Sequence, residues 1–211
     1  QPGERTALNL RGVASGDVTP GDILYAPGTC SSSQNLDVVI DIPVSASRGL
    51  RHMEDVRILY ATSHAAATVR LLDAKQIGPG EKGFAQLRFE APVTAFAGQR
   101  AILRSLSPQQ TLGGALVLDP AAAPVKAGKS LRLATLKAAE LGDVNSLAGA
   151  LAEEQGGCVR LQDISRLARA SISEVRARLG GGFVEIAEGV AATAADTGLA
   201  AEGYRARLAA Y

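Results

Sequence analysis

A period of two in the apolar residues runs through the middle of the chain. Apolar residues occupy every second position from residue 36 to residue 42, with Asp37 and Asp41 between them. This period of two is typical of a half-buried β-strand. It recurs over residues 56–60, 69–71 and 85–89, and turn segments such as GPGEKG separate the strands. About six strands without a helical period predict a small closed antiparallel barrel, because closure removes exposed strand edges.

The pattern becomes helical beyond residues 121–130 (AAAPVKAGKS), whose composition predicts an interdomain linker. Val144, Leu147 and Leu151 mark an amphipathic helix that ends at the two glycines 156 and 157. A short strand, CVRL, follows. The next helix is predicted over DISRLARA, with Asp163 as its N-cap.

A further helix is predicted over residues 171–180, where Ser171 and Glu174 form a capping box and Gly180 follows the last turn. Residues 182–189 (GFVEIAEG) and 190–194 (VAATA) predict the two strands of a wing, and a last helix runs from about Thr197 to Leu208. The order helix, strand, helix, turn, helix and wing is typical of a winged-helix domain.

The first 26 residues predict two more strands, ALNLRGV and DILYA. A single hairpin cannot bury its apolar face. We therefore expect residues 1–26 to be the last strands of a preceding barrel, whose unpaired edges also offer a route to self-association. Residues 27–35 are predicted as a polar connection. The predicted fold is mixed and multidomain: strands 1–26, a β-barrel at 27–122, a linker at 123–130 and an α+β winged helix at 131–211.

Composition and charge exclude several classes of protein. The 211 residues carry a formal net charge of +1, and basic and acidic residues balance in both halves, 11 and 11 before Ala123 and 11 and 10 from it onward. Any nucleic-acid contact must therefore come from local clusters. Cys30 and Cys158 are isolated, and His52 and His64 lack metal-ligand spacing, so neither a disulfide framework nor a metal site is predicted. No apolar run approaches a membrane span of about 20 residues, and a cytoplasmic protein without membrane contact is expected.

One segment imitates a nucleotide-binding loop. Residues 123–130 end in Gly-Lys-Ser, as a P-loop does, but the first position is Ala123 and Pro124 follows it. The glycine missing there is the one that lets backbone N–H groups turn around the phosphates. We therefore predict a basic linker. With no nucleophile motif and no His–carboxylate pairing, the chain alone is not expected to be an enzyme.

Residues 98–120, GQRAILRSLSPQQTLGGALVLDP, carry the most specific pattern. An aliphatic run ends in arginine, a polar turn follows, and T-L-G-G opens a second aliphatic run. This pattern resembles the last hairpin of the third domain of elongation factor Tu-like translational GTPases. Residues 3–10 (GERTALNL) and 21–24 (GDIL) are similar to the end of their second barrel. Together with the region after Pro124, the chain most resembles the bacterial selenocysteine-specific elongation factors.

The resemblance implies a function for the intact protein. It would use GTP and Mg²⁺, bound by a domain outside this chain, to deliver selenocysteinyl-tRNA to a ribosome stalled at a recoded UGA codon. The messenger RNA hairpin would be bound by the terminal winged helices of a tandem array, and this chain would hold only the first winged helix of that array. This region itself, with no cofactor of its own, is expected to contribute tRNA binding and to link the GTPase body to the hairpin-binding end.

The resemblance also suggests site residues. Arg5 occupies the arginine of a G-x-R-x-A-L-N strand that is associated with the aminoacyl pocket, where a fixed guanidinium would favour an ionised selenol over a neutral serine. Arg104, with Thr111 and Gly113, occupies the hairpin that grips the T arm of tRNA, and Arg51 and His52 lie in a connection expected to reach it.

A second basic group occurs in the helix-turn-helix segment, where one face is expected to meet RNA or the ribosome. Its arginines are Arg160, Arg166, Arg169, Arg176 and Arg178.

Two other interpretations remain at this point. The chain would also fit a DNA-binding regulator whose barrel senses a small ligand and whose winged helix reads DNA. It would equally fit a structural interaction module without RNA contact.

Overall fold

Six strands of the computed structural model close into an antiparallel barrel, in the order β1-β6-β4-β3-β7-β8, which confirms the predicted architecture. The structure describes Glu4 and residues 6–26, 29–125 and 129–193. The strands up to residue 119 are β1 (Ser31–Asp41), β2 (Leu50–Arg51), β3 (Glu54–Tyr60), β4 (Ser63–Leu71), β5 (Gln76–Ile77), β6 (Lys82–Ala95), β7 (Arg100–Ser105) and β8 (Thr111–Asp119). β2 and β5 form a separate small ribbon.

The period of two fills the barrel with aliphatic side chains. Val38, Ile40, Val56, Ile58 and Leu103 are all within 1 % of complete burial and belong to one core cluster. The barrel has two ends. We call the one with the turn at residues 106–110 the β7–β8 end, and the other, with the turn at residues 61–62, the β3–β4 end.

Two predictions about the first 35 residues are wrong. Residues 31–35 belong to β1 and not to a connection, because the long strand β6 extends far enough to pair Ser31 with Ala95. Residues 7–13 and 22–26 form no strand; residues 6–26 contain only a one-turn 3₁₀ helix, Ser15–Asp17. A strand needs a partner edge, and every edge of the closed barrel is already paired.

The remainder of the described chain forms the predicted winged-helix domain. Its elements are α1 (Lys129–Leu141), α2 (Val144–Gln155), β9 (Cys158–Arg160), α3 (Leu161–Ala168), α4 (Ile172–Arg178), β10 (Phe183–Ala187) and β11 (Val190–Thr193). The three strands form one sheet, β10-β11-β9. The helices pack on it through a second core cluster, which includes Leu147, Val159, Ile164 and Val175. In the described ranges, no helix has the length and apolar character of a bilayer-spanning segment.

The helix ends mostly follow their predicted signals. Gly156 ends α2 in the left-handed conformation at φ 79°, and the capping box of Ser171 and Glu174 starts α4. The prediction for Asp163 is wrong, because α3 begins two residues earlier with Arg160 as its N-cap and Asp163 lies in its first turn. The helix predicted from Thr197 lies outside the described residues.

Helix α1 was not predicted. It begins at Lys129, inside the segment expected to be a linker, and the preceding residues Ala122 and Val125 are buried. Leu136 of α1 is fully buried against the outside of the barrel, together with Val39, Phe84 and Leu118. The connection between the domains is therefore packed onto the barrel up to residue 125.

Candidate nucleic-acid interface and interdomain junction

Two arginines lie side by side on the outer wall of the barrel near its β7–β8 end. Arg104 of β7 is directly opposite Arg57 of β3, and on its other side it is opposite Thr111 of β8. The side chains of the inner core alternate with these positions, so both arginines project outward. A register shift after Leu103 sets the local position of Arg104 in the ladder.

Neither guanidinium has an ion pair with any residue that the structure describes. Arg104 Nη2 donates to the carbonyl oxygen of Gln109 at 3.4 Å, and Arg104 Nε is buried without a hydrogen-bond partner in the described part of the chain. Like charges directly opposite one another on a sheet are unfavourable. A pair of half-buried guanidinium groups without a carboxylate is suited to bind a phosphate, which accepts their hydrogen bonds and neutralises their charge.

Arg51 and His52 lie at the same end of the barrel, just before β3 begins. Both side chains are exposed, and their backbone is held in place: Arg51 N donates to Glu54 Oε2 at 3.0 Å and His52 N to the Lys75 carbonyl at 2.9 Å. Glu54 is partly buried, which opposes ionisation, but the hydrogen bonds from Arg48 and Arg51 prevail and lower its pKa. The predicted tRNA contacts are thus brought to one end of the barrel.

A surface depression of about 650 Å³ opens beside Arg51 and His52. Its other walls come from β5 and the residues around Arg48. Ser47 Oγ donates to Gln110 Oε1 at 3.1 Å, which joins this region to the β7–β8 turn. The depression and the arginine pair therefore belong to one continuous end of the barrel.

The predicted site residues in the winged helix divide into two groups. Arg166 and Arg169 face the barrel: Arg166 Nε is 3.1 Å from Asp119 Oδ1, and a β-carbon on Gly98 would be 3.0 Å from Arg169 Cδ. Arg176 and Arg178 are exposed, and Arg176 pairs with Glu185 of the wing at 2.8 Å. Contact of these four arginines with RNA or the ribosome stays a prediction. Arg5 lies outside the described residues.

The sequence did not indicate the ion-pair network between the two domains. Arg132 of α1 places Nε 2.7 Å from Asp37 Oδ2 of β1 and Nη2 2.6 Å from Asp119 Oδ2 at the end of β8. Its Nη1 is 3.5 Å from Glu154 Oε2 of α2. Asp119 also accepts from Arg166, so one barrel carboxylate joins two helices of the winged-helix domain.

The charged groups of this network are largely buried. Asp37 is completely buried, the Asp119 side chain is 3 % exposed and that of Arg132 is 12 % exposed. Burial raises the pKa of Asp37 although Arg132 and Gln86 act to lower it. Burial alone would lower the pKa of Arg132, but the surrounding carboxylates outweigh it and raise that pKa. Arg132 therefore stays charged and matches the buried carboxylates.

The side-chain amide of Gln86 connects the same network to the chain between the domains. Gln86 Nε2 donates to Asp37 Oδ1 at 2.8 Å and to the Ala123 carbonyl at 2.9 Å, and Gln86 Oε1 accepts from Val125 N at 3.1 Å. Arg88 Nη2 adds a 3.3 Å contact to the Val125 carbonyl. The segment after β8 is thus hydrogen-bonded along the outside of β6.

A metal centre is not among the candidate sites. In the stretches that the structure describes, no group of three or more His, Cys, Asp or Glu residues could hold an ion. Among the residues that the structure describes, neither Cys30 nor Cys158 forms a disulfide.

Comparison with known proteins agrees with this architecture. Residues 37–124 match the family model for the β-barrel domain of the selenocysteine-specific elongation factor. A selenocysteine-specific elongation factor from Desulfomicrobium baculatum is 34 % identical over 118 residues, which cover 56 % of this chain and 19 % of that protein. The chain thus matches about a fifth of the length of this relative.

A crystal structure of the bacterial selenocysteine-specific elongation factor EF-Sec superimposes with a TM-score of 0.64 and 20 % identity, over 88 % of this chain and 28 % of the other. The superposition supports the fold of both domains, and the family model identifies the barrel. The resemblance expected from the sequence is confirmed, since residues 37–124 are similar to the β-barrel domain of selenocysteine-specific elongation factors.

Proposed function

We propose that this chain is the part of a selenocysteine-specific elongation factor that helps to hold selenocysteinyl-tRNA and connects the tRNA-holding body to the winged helices. The intact factor would deliver this tRNA to the ribosome at recoded UGA codons, with GTP and Mg²⁺ bound by another of its domains. The similarity of the barrel to the β-barrel domain of these factors supports this proposal. The single observation that carries the tRNA-binding role is the arginine pair without a carboxylate, Arg57 and Arg104.

In this proposal the two guanidinium groups bind adjacent phosphates of the T arm, and Arg51 and His52 extend the contact along the same end of the barrel. Phosphate contacts position an RNA without reading its sequence, and double-stranded RNA is recognised mostly by shape and backbone. An arginine pair on a rigid strand ladder suits this task, because its position is set by the register and not by a mobile loop.

A fluorescence titration of labelled selenocysteinyl-tRNA tests the proposal. Arg57→Ala and Arg104→Ala are each expected to weaken binding roughly tenfold, which corresponds to about 1.4 kcal/mol. Each should also reduce the salt dependence of log K by about one unit per lost phosphate contact. Arg100→Ala is the matched control, because Arg100 is an exposed arginine on the same strand at the other end of the barrel.

The outcomes separate the three interpretations. Equal affinity of all four proteins for the tRNA would refute the assignment of the arginine pair. Tighter binding to a duplex DNA of matched length than to tRNA would favour the DNA-binding regulator. No binding to either nucleic acid in low salt would favour a structural module.

The aminoacyl role of Arg5 is a separate part of the proposal. Arg5→Ala in the full-length factor is expected to weaken selenocysteinyl-tRNA much more than seryl-tRNA, because the guanidinium would stabilise the ionised selenol. Equal losses for the two tRNAs would remove this role while leaving the barrel contact intact.

A further inference from the structure

We propose that Arg132 locks the winged-helix domain onto the barrel, so that the two domains move as one rigid body and the connection between them is not a hinge. The inference concerns the chain by itself and stands whether or not the chain binds RNA. It assigns a positioning role to a residue just after the segment that the sequence predicts as a linker.

Polar contacts between the two domains meet at one buried site around Arg132, and they fix how the domains are oriented. The planar guanidinium of Arg132 offers donors in a rigid fork, and both barrel carboxylates receive one at 2.6–2.7 Å. Rotating the winged-helix domain would lengthen at least one of these bonds, leaving a carboxylate that is buried in the closed arrangement without its partner. Because replacing a buried ion pair by apolar residues is often neutral or stabilising, we assign this network to the geometry of docking and not to its strength.

The apolar contact around this point holds the surfaces together. Leu136 of α1 is fully buried, and Leu118 and Val39 on the barrel wall are less than 8 % exposed. Burial of aliphatic surface is favourable but has no preferred direction. We infer that this cluster drives docking and that the charged network selects one orientation.

Helix α3 adds contacts of its own, one of them to the same Asp119 carboxylate that Arg132 binds. Arg166 of α3 reaches Asp119, and Arg169 packs over Gly98 in the turn between β6 and β7. Gly98 adopts φ 91°, and a β-carbon there would lie 3.0 Å from Arg169 Cδ, which is closer than ordinary van der Waals contact. Contacts at Asp119 and at the Gly98 turn, made from two helices of one domain, oppose rotation of that domain about Arg132.

The connecting segment has little slack. Val125 is hydrogen-bonded to Gln86 on the barrel, and α1 begins at Lys129, four residues later. Four residues span at most about 14 Å when fully extended. Displacement of α1 from the barrel therefore requires breaking the contacts of Arg132 and Leu136 together.

The inference is tested by the distance between two spin labels, one in each domain of the 211-residue chain. Labels are attached to His64→Cys on the outside of β4 and Glu188→Cys in the turn of the wing, both exposed positions, in a Cys30→Ser, Cys158→Ala background. The parent protein is expected to give a single narrow distance distribution. Arg132→Met is expected to broaden it or add a second distance. Arg176→Met, which removes an arginine from an ion pair within the winged-helix domain, should leave it unchanged.

The width of the distance distribution decides whether the two domains form one rigid body. A broad distribution in the parent protein would overturn the inference, and so would a distribution for Arg132→Met that is as narrow as that of the control. If Arg132→Met loses its far-ultraviolet circular dichroism, Arg166→Met provides the test in its place. Its arginine is 33 % exposed and pairs with the same Asp119 carboxylate, so a narrow, unshifted distance in that variant would overturn the claim that the ion pairs at Asp119 select the orientation.

Discussion

Replacing Arg132 by methionine removes one charge and leaves two buried carboxylates without their main partner. Methionine keeps much of the length and apolar contact of the arginine stem. The two hydrogen bonds lost, at 2.7 and 2.6 Å, are of the charge-assisted kind that contributes about 1.5–3 kcal/mol each. Breaking a buried pair by removing one member costs about 3–5 kcal/mol. Because Arg166 still pairs with Asp119 and water can enter the vacated space, we expect a loss of about 3 kcal/mol at neutral pH.

This loss should depend on pH in a defined direction. Burial already raises the pKa of Asp37, and removal of Arg132 takes away the largest opposing influence, so the pKa of Asp37 rises further in the variant. Between the ordinary carboxyl value and this raised value, the folded state holds a proton that the unfolded state has released. Stability of the variant therefore falls as pH rises through that window. The deficit relative to the parent protein should be smallest near pH 4 and largest near pH 7.

Equilibrium urea unfolding at several pH values measures both features, with the first transition compared between proteins if more than one is seen. Arg176→Met is the matched control, and it should change the stability little because its ion pair with Glu185 is exposed. A deficit for Arg132→Met no larger than that of the control would refute the account of the junction. A large deficit that stays constant across the acid range would refute the role of Asp37 in it.

Three further substitutions test local features of the fold. Leu136→Ala should cost about 2–5 kcal/mol, read from the urea midpoint, because a fully buried side chain leaves a cavity between α1 and the barrel; a loss below that range would mean that α1 is not firmly docked. Gly113→Ala should lower the free energy of unfolding by about 1–3 kcal/mol in thermal unfolding, because its β-carbon would overlap the Asp41 carbonyl and lie 2.9 Å from Ile42 Cδ1. Gly114→Ala is the matched control. Its β-carbon would have its nearest contact at 3.8 Å, so the stability should change little. Ser171→Ala should cost about 1 kcal/mol through loss of the N-cap of α4, and an unchanged melting temperature would contradict that role.

The barrel could be predicted from the sequence because the alternation that it requires is visible within each strand. A closed sheet with one apolar interior forces alternation on every strand, and that alternation is legible at Val38 and Ile40 without knowing their partners. The capping signals of α4 could be predicted for the same reason, since Ser171 and Glu174 are close in the sequence. Strand register is a different matter, since the period of two places Arg57 on the outside but does not reveal that Arg104 is opposite.

The junction could not be predicted because both of its main residues follow the usual rules for exposed positions. Asp37 occupies an outward position of a half-buried strand, and only the docking of α1 makes that position fully buried. Arg132 follows a segment rich in alanine, glycine and lysine whose composition indicates a linker. Residues 7–13 show the opposite error, because their alternation is typical of a strand while every edge of the closed barrel is already paired.

Site-specific photocrosslinking tests the central claim, binding of tRNA by the β7–β8 end of the barrel, most directly. Ile102 is 50 % exposed on β7, two residues before Arg104, and a benzoylphenylalanine placed there would face the same surface. We predict crosslinks to selenocysteinyl-tRNA that map to its T arm, and none from the same group at the exposed Leu141 of α1. Crosslinks that map outside the T arm, or equal yields from the two positions, would contradict the account.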